Sequence, residues 1–168
     1  MNIILFISLI ICYIQHISSF TIHSLTRPIT RLYQSTNTET TNVNNIIFPD
    51  TLSDCWEIDC YSRPVVTEDG KKLWEILITD SIGDFRYLKT IPSSLVNSRN
   101  LRQIVEEVID ASPVRPKLIR FFRSQMFNMI SIALSTIEVD IKPSRLTHNL
   151  LMWLQDREAN VYPYMIGK

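Results

Sequence analysis

The sequence predicts a mixed α/β sheet in which an antiparallel meander is followed by parallel strands. Three observations support this prediction. Apolar and polar residues alternate along residues 56–61, turn residues separate two further strand-like runs, and apolar residues recur at helical spacing from residue 101 onward. Strands that follow helices within one sheet are joined by right-handed crossovers, which makes them parallel. The expected order of elements is therefore β-β-β-α-β-α-β-α.

Three strands form the predicted meander. The alternation from Trp56 to Tyr61 indicates a half-buried strand, which Pro64 either ends or forces into a bulge. Asp69-Gly70 predicts a hairpin turn, because glycine adopts positive φ without strain. A second turn is expected at residues 81–84. The predicted strands occupy residues 56–61, 73–80 and 85–91.

Three predicted helices then alternate with two short strands at residues 117–122 and 139–142. Pro113 and Pro116 end the first helix, and Ser124 is the expected N-cap of the second. Pro143 and Ser144 open the third. The apolar faces follow helical spacing: they consist of Leu101, Ile104, Val105, Val108 and Ile109, of Met126, Met129, Ile130, Ala133, Leu134 and Ile137, and of Leu146, Leu150, Leu151 and Leu154.

The same order of elements occurs in ribonuclease-H-like folds, so a metal-dependent nuclease is one alternative function. Such enzymes hold two metal ions with acids that converge from neighbouring elements. Asp59 on the first strand is a candidate, but the fourth strand ends at Arg123, which would repel a cation. Glu57, Asp59 and Glu75 are instead expected to be solvent-facing or salt-bridged.

The remaining chemistry-bearing residues predict neither an enzyme nor a cofactor. Three glycines are too few and too scattered for a glycine-rich nucleotide loop. Cys55 and Cys60 lie on opposite faces of one predicted strand, which argues against a disulfide, and no zinc-ligand spacing occurs. His148 has no nucleophile in a recognisable pattern around it.

The first 49 residues differ from the rest in composition. They hold two basic residues and one acid, whereas residues 50–168 hold 15 basic and 16 acidic residues. Residues 3–14 form an apolar run of signal-peptide length, too short to span a membrane. The shift predicts an address segment followed by a folded domain over residues 50–168, in which no membrane span is expected.

The address segment has two predicted parts. A signal peptide is expected over residues 1–19, with cleavage before Phe20, and a transit-like presequence and linker over 20–49. Eleven of the 25 residues from 18 to 42 are Ser or Thr, which is typical of transit peptides. This arrangement resembles the two-part presequence of algae with red-type secondary plastids. A secreted protein is the alternative.

A basic and aromatic segment is the best candidate for binding. The chain has 17 basic and 17 acidic residues, so it is no polycation, but residues 115–125 contain no acid. Basic side chains bind phosphates, and aromatic rings stack on unpaired bases. A solvated charged face around a buried Phe121 or Phe122 is the alternative. The candidate RNA-contact residues are Arg115, Lys117, Arg120, Phe122, Arg123, Gln125, Lys142 and Arg145.

Six ordered blocks of the domain resemble the second-numbered Tab/Atab family of plastid RNA-binding translation activators. They cover residues 56–64, 69–75, 97–101, 116–126, 141–145 and 150–157. The most distinctive stretch, residues 120–126, reads RFFRSQM. Members of this family continue with a second domain of similar size, so the chain is expected to be an amino-terminal half whose carboxy-terminal domain is missing.

The resemblance implies a function in plastid gene expression. The expected partner is the 5′ leader of a plastid messenger, above all that of a photosystem I core subunit, together with other translation factors. The expected location is the plastid stroma. The resemblance also supports Arg120, Arg123 and Arg145 as RNA contacts. A protein-interaction scaffold is a further alternative to the nuclease.

Overall fold

The computed structural model describes residues 46–165. Within them, five strands form one sheet in the order β3-β2-β1-β4-β5. Neighbouring strands pair antiparallel in β1–β2 and β2–β3, and parallel in β1–β4 and β4–β5. This confirms the predicted mixed α/β class. The strands are β1 (Cys55–Val66), β2 (Lys72–Asp80), β3 (Arg86–Ile91), β4 (Leu118–Phe121) and β5 (Asp140–Pro143).

The helices follow the predicted order, with a short helix added at the end of the described residues. They are α1 (Ser98–Ala111), α2 (Phe127–Leu134), α3 (His148–Asn160) and α4 (Tyr162–Met165). None of the helices within residues 46–165 combines the length and apolarity needed to cross a membrane. The predicted signal peptide and nearly all of the predicted transit-like presequence lie outside the described residues.

The turn signals are confirmed, and a side-chain cap begins α1. The Asn97 side chain accepts a hydrogen bond from the Asn100 amide at 2.9 Å and caps α1. Gly70 has φ of 74° in the β1–β2 hairpin. The pairing register of β1 shifts between Ser62 and Val66, which is the bulge expected from Pro64.

Two helix starts were predicted too early. Residues Ser124–Met126 form a 3₁₀ turn, and α2 begins only at Phe127. The hydroxyl of Ser144 accepts a hydrogen bond from the Leu146 amide at 3.0 Å, which forms a local turn before α3 instead of its first turn. Leu146 therefore lies outside the helix and is 69% exposed, so its predicted burial is wrong.

Helices cover both faces of the central strands. Trp56, Ile58 and Cys60 pack on one face with α1 and α2. Apolar residues of β2 and β3 pack on the other face against α3 and α4. Glu57 and Asp59, which alternate with the first set, are both only 2% exposed. The prediction of a half-buried first strand is therefore wrong, because α3 and α4 cover the face expected to meet water.

Cys55 and Cys60, the cysteines within the described residues, are free thiols, as the strand spacing predicted. Cys60 lies in the core beside α1 and α2, and burial raises the pKa of its thiol to about 12. Cys55, at the start of β1, is less buried, and its thiol pKa is raised by the same cause. Both act as small apolar side chains at neutral pH.

The β2–β3 turn supplies a test of how α3 is held. Gly83 has φ of 89°, and a Cβ added there would lie 2.8 Å from Oδ1 of Asn149. The Asn149 amide in turn donates to the Ser81 carbonyl at 2.6 Å. We expect Gly83→Ala to lower the free energy of unfolding by about 2–3 kcal/mol through backbone strain and this clash.

Gly70→Ala is the matched control. Its φ is also positive, at 74°, but nothing lies within 4 Å of an added Cβ. Its loss should be about 1–2 kcal/mol from backbone strain. Denaturant unfolding of both variants measures the difference. Equal losses would contradict the proposed contact between the turn and α3.

Candidate nucleic-acid interface

A buried ionic network lies on the face of the sheet that α3 and α4 cover. Glu75 of β2, which is 1% exposed, is its centre. One of its oxygens accepts from Nε of Arg63 at 3.1 Å and from the Tyr162 hydroxyl at 2.7 Å. The other pairs with the Arg157 guanidinium of α3. The carboxylate thus ties β1, β2, α3 and α4 together.

Asp59 is the second carboxylate of the network. Its Oδ2 accepts from Nη1 of Arg63 at 2.8 Å, and its Oδ1 from Nε of Arg123 at 2.9 Å. Asp59 and Glu75 are therefore salt-bridged, which confirms one of the two expectations for them. The other expectation, that they face solvent, is wrong because both are buried.

Glu57 differs from these two acids because it forms no salt bridge among the described residues. Its Oε2 accepts from the Leu150 amide at 2.8 Å, in the first turn of α3. A carboxylate at this position accepts from an otherwise unpaired amide, and its negative charge is stabilised by the positive end of the helix dipole. Burial raises the pKa of Glu57, and the Leu150 amide opposes that shift. Glu57 is neither solvent-facing nor salt-bridged, so both expectations for it are wrong.

The network carries excess positive charge. Three guanidinium groups, those of Arg63, Arg123 and Arg157, meet only the two carboxylates of Asp59 and Glu75. Burial lowers the pKa of Arg63, but Asp59, Tyr162 and Glu75 outweigh that effect, and the net shift is upward. Arg63 therefore remains charged at neutral pH. One positive charge is left without a carboxylate in the network.

Asp59 does not occupy a metal-ligand cluster. Within residues 46–165, no group of three or more His, Cys, Asp and Glu side chains is placed to hold a metal ion. Both oxygens of Asp59 already accept from arginines. The acid that motivated the nuclease alternative is thus committed to ion pairs in this structure.

Arg123 and Phe122 lie directly after β4, at the carboxyl end of the parallel strands. The Arg123 guanidinium stands 4.1 Å from the centroid of the Tyr61 ring and 4.7 Å from that of Phe122. Its side chain is 22% exposed. Phe122 is partly buried against the apolar cluster beneath α3. Arg123 therefore holds β1 and β4 together while leaving part of its surface accessible.

The outer edge of the sheet carries further candidates. Arg120 of β4 pairs in register with Lys142 of β5, which places both on one face. Lys142 and Arg145 are exposed, as is Gln125, whereas Arg120 is partly exposed. The two parallel strands thus bring together cations that are 22 or more residues apart in sequence.

Arg115 and Lys117 lie at the opposite end of β4. Lys117 precedes the strand and pairs with Asp54 at 2.9 Å. Arg115 borders a cavity of about 210 Å³ beside Glu106 and Asp110 of α1. The four residues of β4 separate this end from the carboxyl end by about 13 Å. The structure therefore divides the basic segment into two groups.

A cavity of about 570 Å³ opens at the carboxyl end of β1. Of its lining residues, Arg123 alone belongs to the binding candidates predicted from the sequence. No local pattern distinguishes Arg63 or Lys72 from ordinary strand residues. Arg63 is 3% exposed, and its Nη2 is buried without a hydrogen-bond partner among the described residues. The lining residues are Tyr61, Ser62, Arg63, Pro64, Val65, Val66, Lys72, Arg123 and Glu158.

Comparison with known proteins identifies the family. The family model described as "RNA-binding protein Tab2/Atab2 N terminal" matches residues 55–157. The chain belongs to this family. The match begins with β1, ends within α3 and includes both carboxylates of the network. The family resemblance inferred from the six sequence blocks is thereby confirmed.

Two curated relatives agree with this assignment. The chain is 38% identical over 108 residues to "Protein TAB2 homolog, chloroplastic" of Zea mays, a match that covers 64% of this chain and 28% of the relative. It is 35% identical over 108 residues to the protein of the same name in Arabidopsis thaliana, which covers 64% and 29%. The matched region thus spans less than a third of either relative.

Solved structures show a weaker similarity. The catalytic core domain of BIV integrase aligns with a TM-score of 0.47 and 9% identity, over 67% of this chain and 71% of that one. A chain of the simian T-cell lymphotropic virus intasome, solved with the PP2A regulatory subunit B56 gamma, aligns at 0.48 and 9%, over 66% and 40%. TM-scores below 0.5 do not establish a shared fold.

Removing the charge of Glu75 tests whether the network holds the fold together. We expect Glu75→Gln to lower the free energy of unfolding by about 3–5 kcal/mol, because it leaves Arg63 and Arg157 buried without their carboxylate. Thermal and denaturant unfolding measure the loss.

Asp69→Asn is the matched control for this substitution. Asp69 pairs with Lys71 at 3.3 Å, and both side chains are about 60% exposed. Exposed pairs contribute only about 0–1 kcal/mol, so the control should unfold almost as the wild type does. If both variants lost a similar amount of unfolding free energy, the result would contradict the claim that Glu75 holds the network together.

Proposed function

We propose that this chain is the amino-terminal part of a plastid RNA-binding protein that activates translation of photosystem reaction-centre messengers. The family match over residues 55–157 is the observation that carries the proposal. The chloroplastic relatives support a plastid location. We place the protein in the stroma of a secondary plastid, on the basis of the predicted two-part presequence, where it would act with other translation factors.

The proposed RNA surface lies at the carboxyl ends of β4 and β5. Lys142 and Arg145 are exposed there, and Arg120 stands in register beside Lys142. Such side chains bind the phosphates of single-stranded RNA through charge and hydrogen bonds. Gln125, exposed on the 3₁₀ turn after β4, adds a donor and an acceptor for base edges. The surface therefore combines backbone binding with one group capable of base recognition.

Phe122 and Arg123 lie directly after β4, next to this surface. Arg123 is held by Asp59 and by the rings of Tyr61 and Phe122, so its position is fixed before RNA binds. Fixed guanidinium groups and aromatic rings are suited to stack on unpaired bases. We leave Arg115 and Lys117 outside the proposed surface, because Lys117 is paired with Asp54 and both lie at the far end of β4.

The target is proposed from the family resemblance. We propose the 5′ leader of a photosystem I core-subunit messenger. The matched region covers 28% of the Zea mays relative, so parts outside that region could contribute to choosing the messenger.

Substitutions on the proposed surface should weaken RNA binding in a salt-dependent way. With the full chain and the photosystem I leader RNA, we expect Lys142→Gln and Arg145→Gln each to reduce the slope of log affinity against log salt by about one. Lys117→Gln is the control and should keep the wild-type slope. Affinity measured by fluorescence anisotropy across a salt series checks this. An equal change in all three variants would place RNA elsewhere.

Translation activation requires a test in the organism. Disruption of the gene should lower ribosome occupancy of the photosystem I core messenger several-fold while the amount of that messenger stays constant. Ribosome profiling together with RNA sequencing measures both quantities, and messengers of the ATP synthase serve as the control. A fall in the messenger itself, with unchanged occupancy, would indicate a role in RNA stability instead.

A further inference from the structure

We propose that the cavity at the carboxyl end of β1 is a subsite for one nucleotide of bound RNA. Lys72 and the neighbouring Arg63 and Arg123 would attract its phosphate, and Tyr61 would contact its base. The inference rests on the proposed RNA-binding function and assigns it a second place on the molecule. Apart from Arg123, its residues lie outside the basic segment of the sequence.

Charge is the first argument. Three of the lining residues, Arg63, Lys72 and Arg123, are basic, and Glu158 contributes one negative charge. The carboxylates of the adjoining network leave one positive charge uncompensated, as described above. An incoming anion would balance this excess, because opposite charges attract.

The unpartnered nitrogen of Arg63 is the second argument. Arg63 is 3% exposed and borders the cavity, yet its Nη2 has no hydrogen-bond partner within the described part of the chain. A buried donor without a partner costs free energy, and more so when it is charged. Nη2 is itself buried, so a phosphate in the cavity would be attracted by the Arg63 charge, and its oxygen would meet Nη2 once the lining side chains move apart.

Position and size are the third argument. Ligands of open α/β sheets bind beyond the carboxyl ends of the parallel strands. The cavity lies at this end of β1, and about 570 Å³ is within the range of small-ligand sites. Strands β1, β4 and β5 are consecutive neighbours, and Glu57, Arg120 and Lys142 lie level with one another across them. Tyr61 is four residues further along β1, so roughly 16 Å separates the cavity from Lys142. One RNA strand can cover both.

The aromatic lining distinguishes a nucleotide from a simple anion. The Tyr61 ring borders the cavity, with the Arg123 guanidinium 4.1 Å from its centroid. Guanidinium planes and aromatic rings are the groups on which proteins stack unpaired bases. Glu158, on the same lining, can accept from the amino group of a base. Phosphate and base contacts are thus available together.

Two adjacent lysines provide the test. Lys72 borders this cavity, whereas Lys71 is not among its lining residues and pairs with Asp69. With the full chain and single-stranded leader RNA, we expect Lys72→Gln to weaken binding about three- to tenfold and to lower the salt slope by about one. Lys71→Gln should stay within about twofold of the wild type. Unchanged thermal unfolding confirms that both variants are folded.

A charge change of opposite sign sharpens the test. Glu158→Gln removes the negative charge of the lining, so we expect RNA to bind about two- to threefold more tightly. If the wild type binds RNA but Lys72→Gln and Lys71→Gln behave alike, the subsite is refuted and the proposed function stands. If the wild type binds no RNA at all, the proposed function itself fails, and the subsite with it.

Discussion

The structure depends on one buried ion-pair network centred on Glu75. Its carboxylate contacts Arg63 of β1, Arg157 of α3 and Tyr162 of α4. Charges removed from water stabilise a protein only when every partner is in place, so this network tolerates few alternative arrangements of strands and helices. The network joins α3 and α4 to the sheet, and these helices bury the face of β1 and β2 that carries Asp59 and Glu75.

The network also links the fold to the candidate interface. Asp59 holds Arg123, which in turn lies against the rings of Tyr61 and Phe122. Any ligand at the carboxyl ends of β1 and β4 would therefore meet side chains that are already fixed. Pre-positioned groups lose less conformational entropy on binding than mobile ones. Lys142 of β5 and Arg145 just after it are exposed and suit contacts with phosphates.

Local patterns in the sequence predicted the elements better than their surroundings. The helical spacing of Leu101, Val105 and Val108 located α1, and Asp69-Gly70 located the first hairpin. Alternation along β1 could not reveal that Glu57 and Asp59 are buried, because the helices that cover them come about 90 residues later. Leu146 satisfied the helical period and still lies exposed, because a turn formed by Ser144 delays the start of α3.

The sequence by itself determined the α/β class, the order of strands and helices, and the family, because periodicity, turn residues and short sequence blocks are properties of neighbouring residues. Tertiary structure alone decided which charges are paired. Glu75 and Arg157 are 82 residues apart, and Asp59 and Arg123 are 64 apart, so no local spacing records their contact. The tertiary structure also divided the basic segment between the two ends of β4 and brought Arg63 and Lys72 to one cavity. Strand register, and not sequence separation, sets those distances.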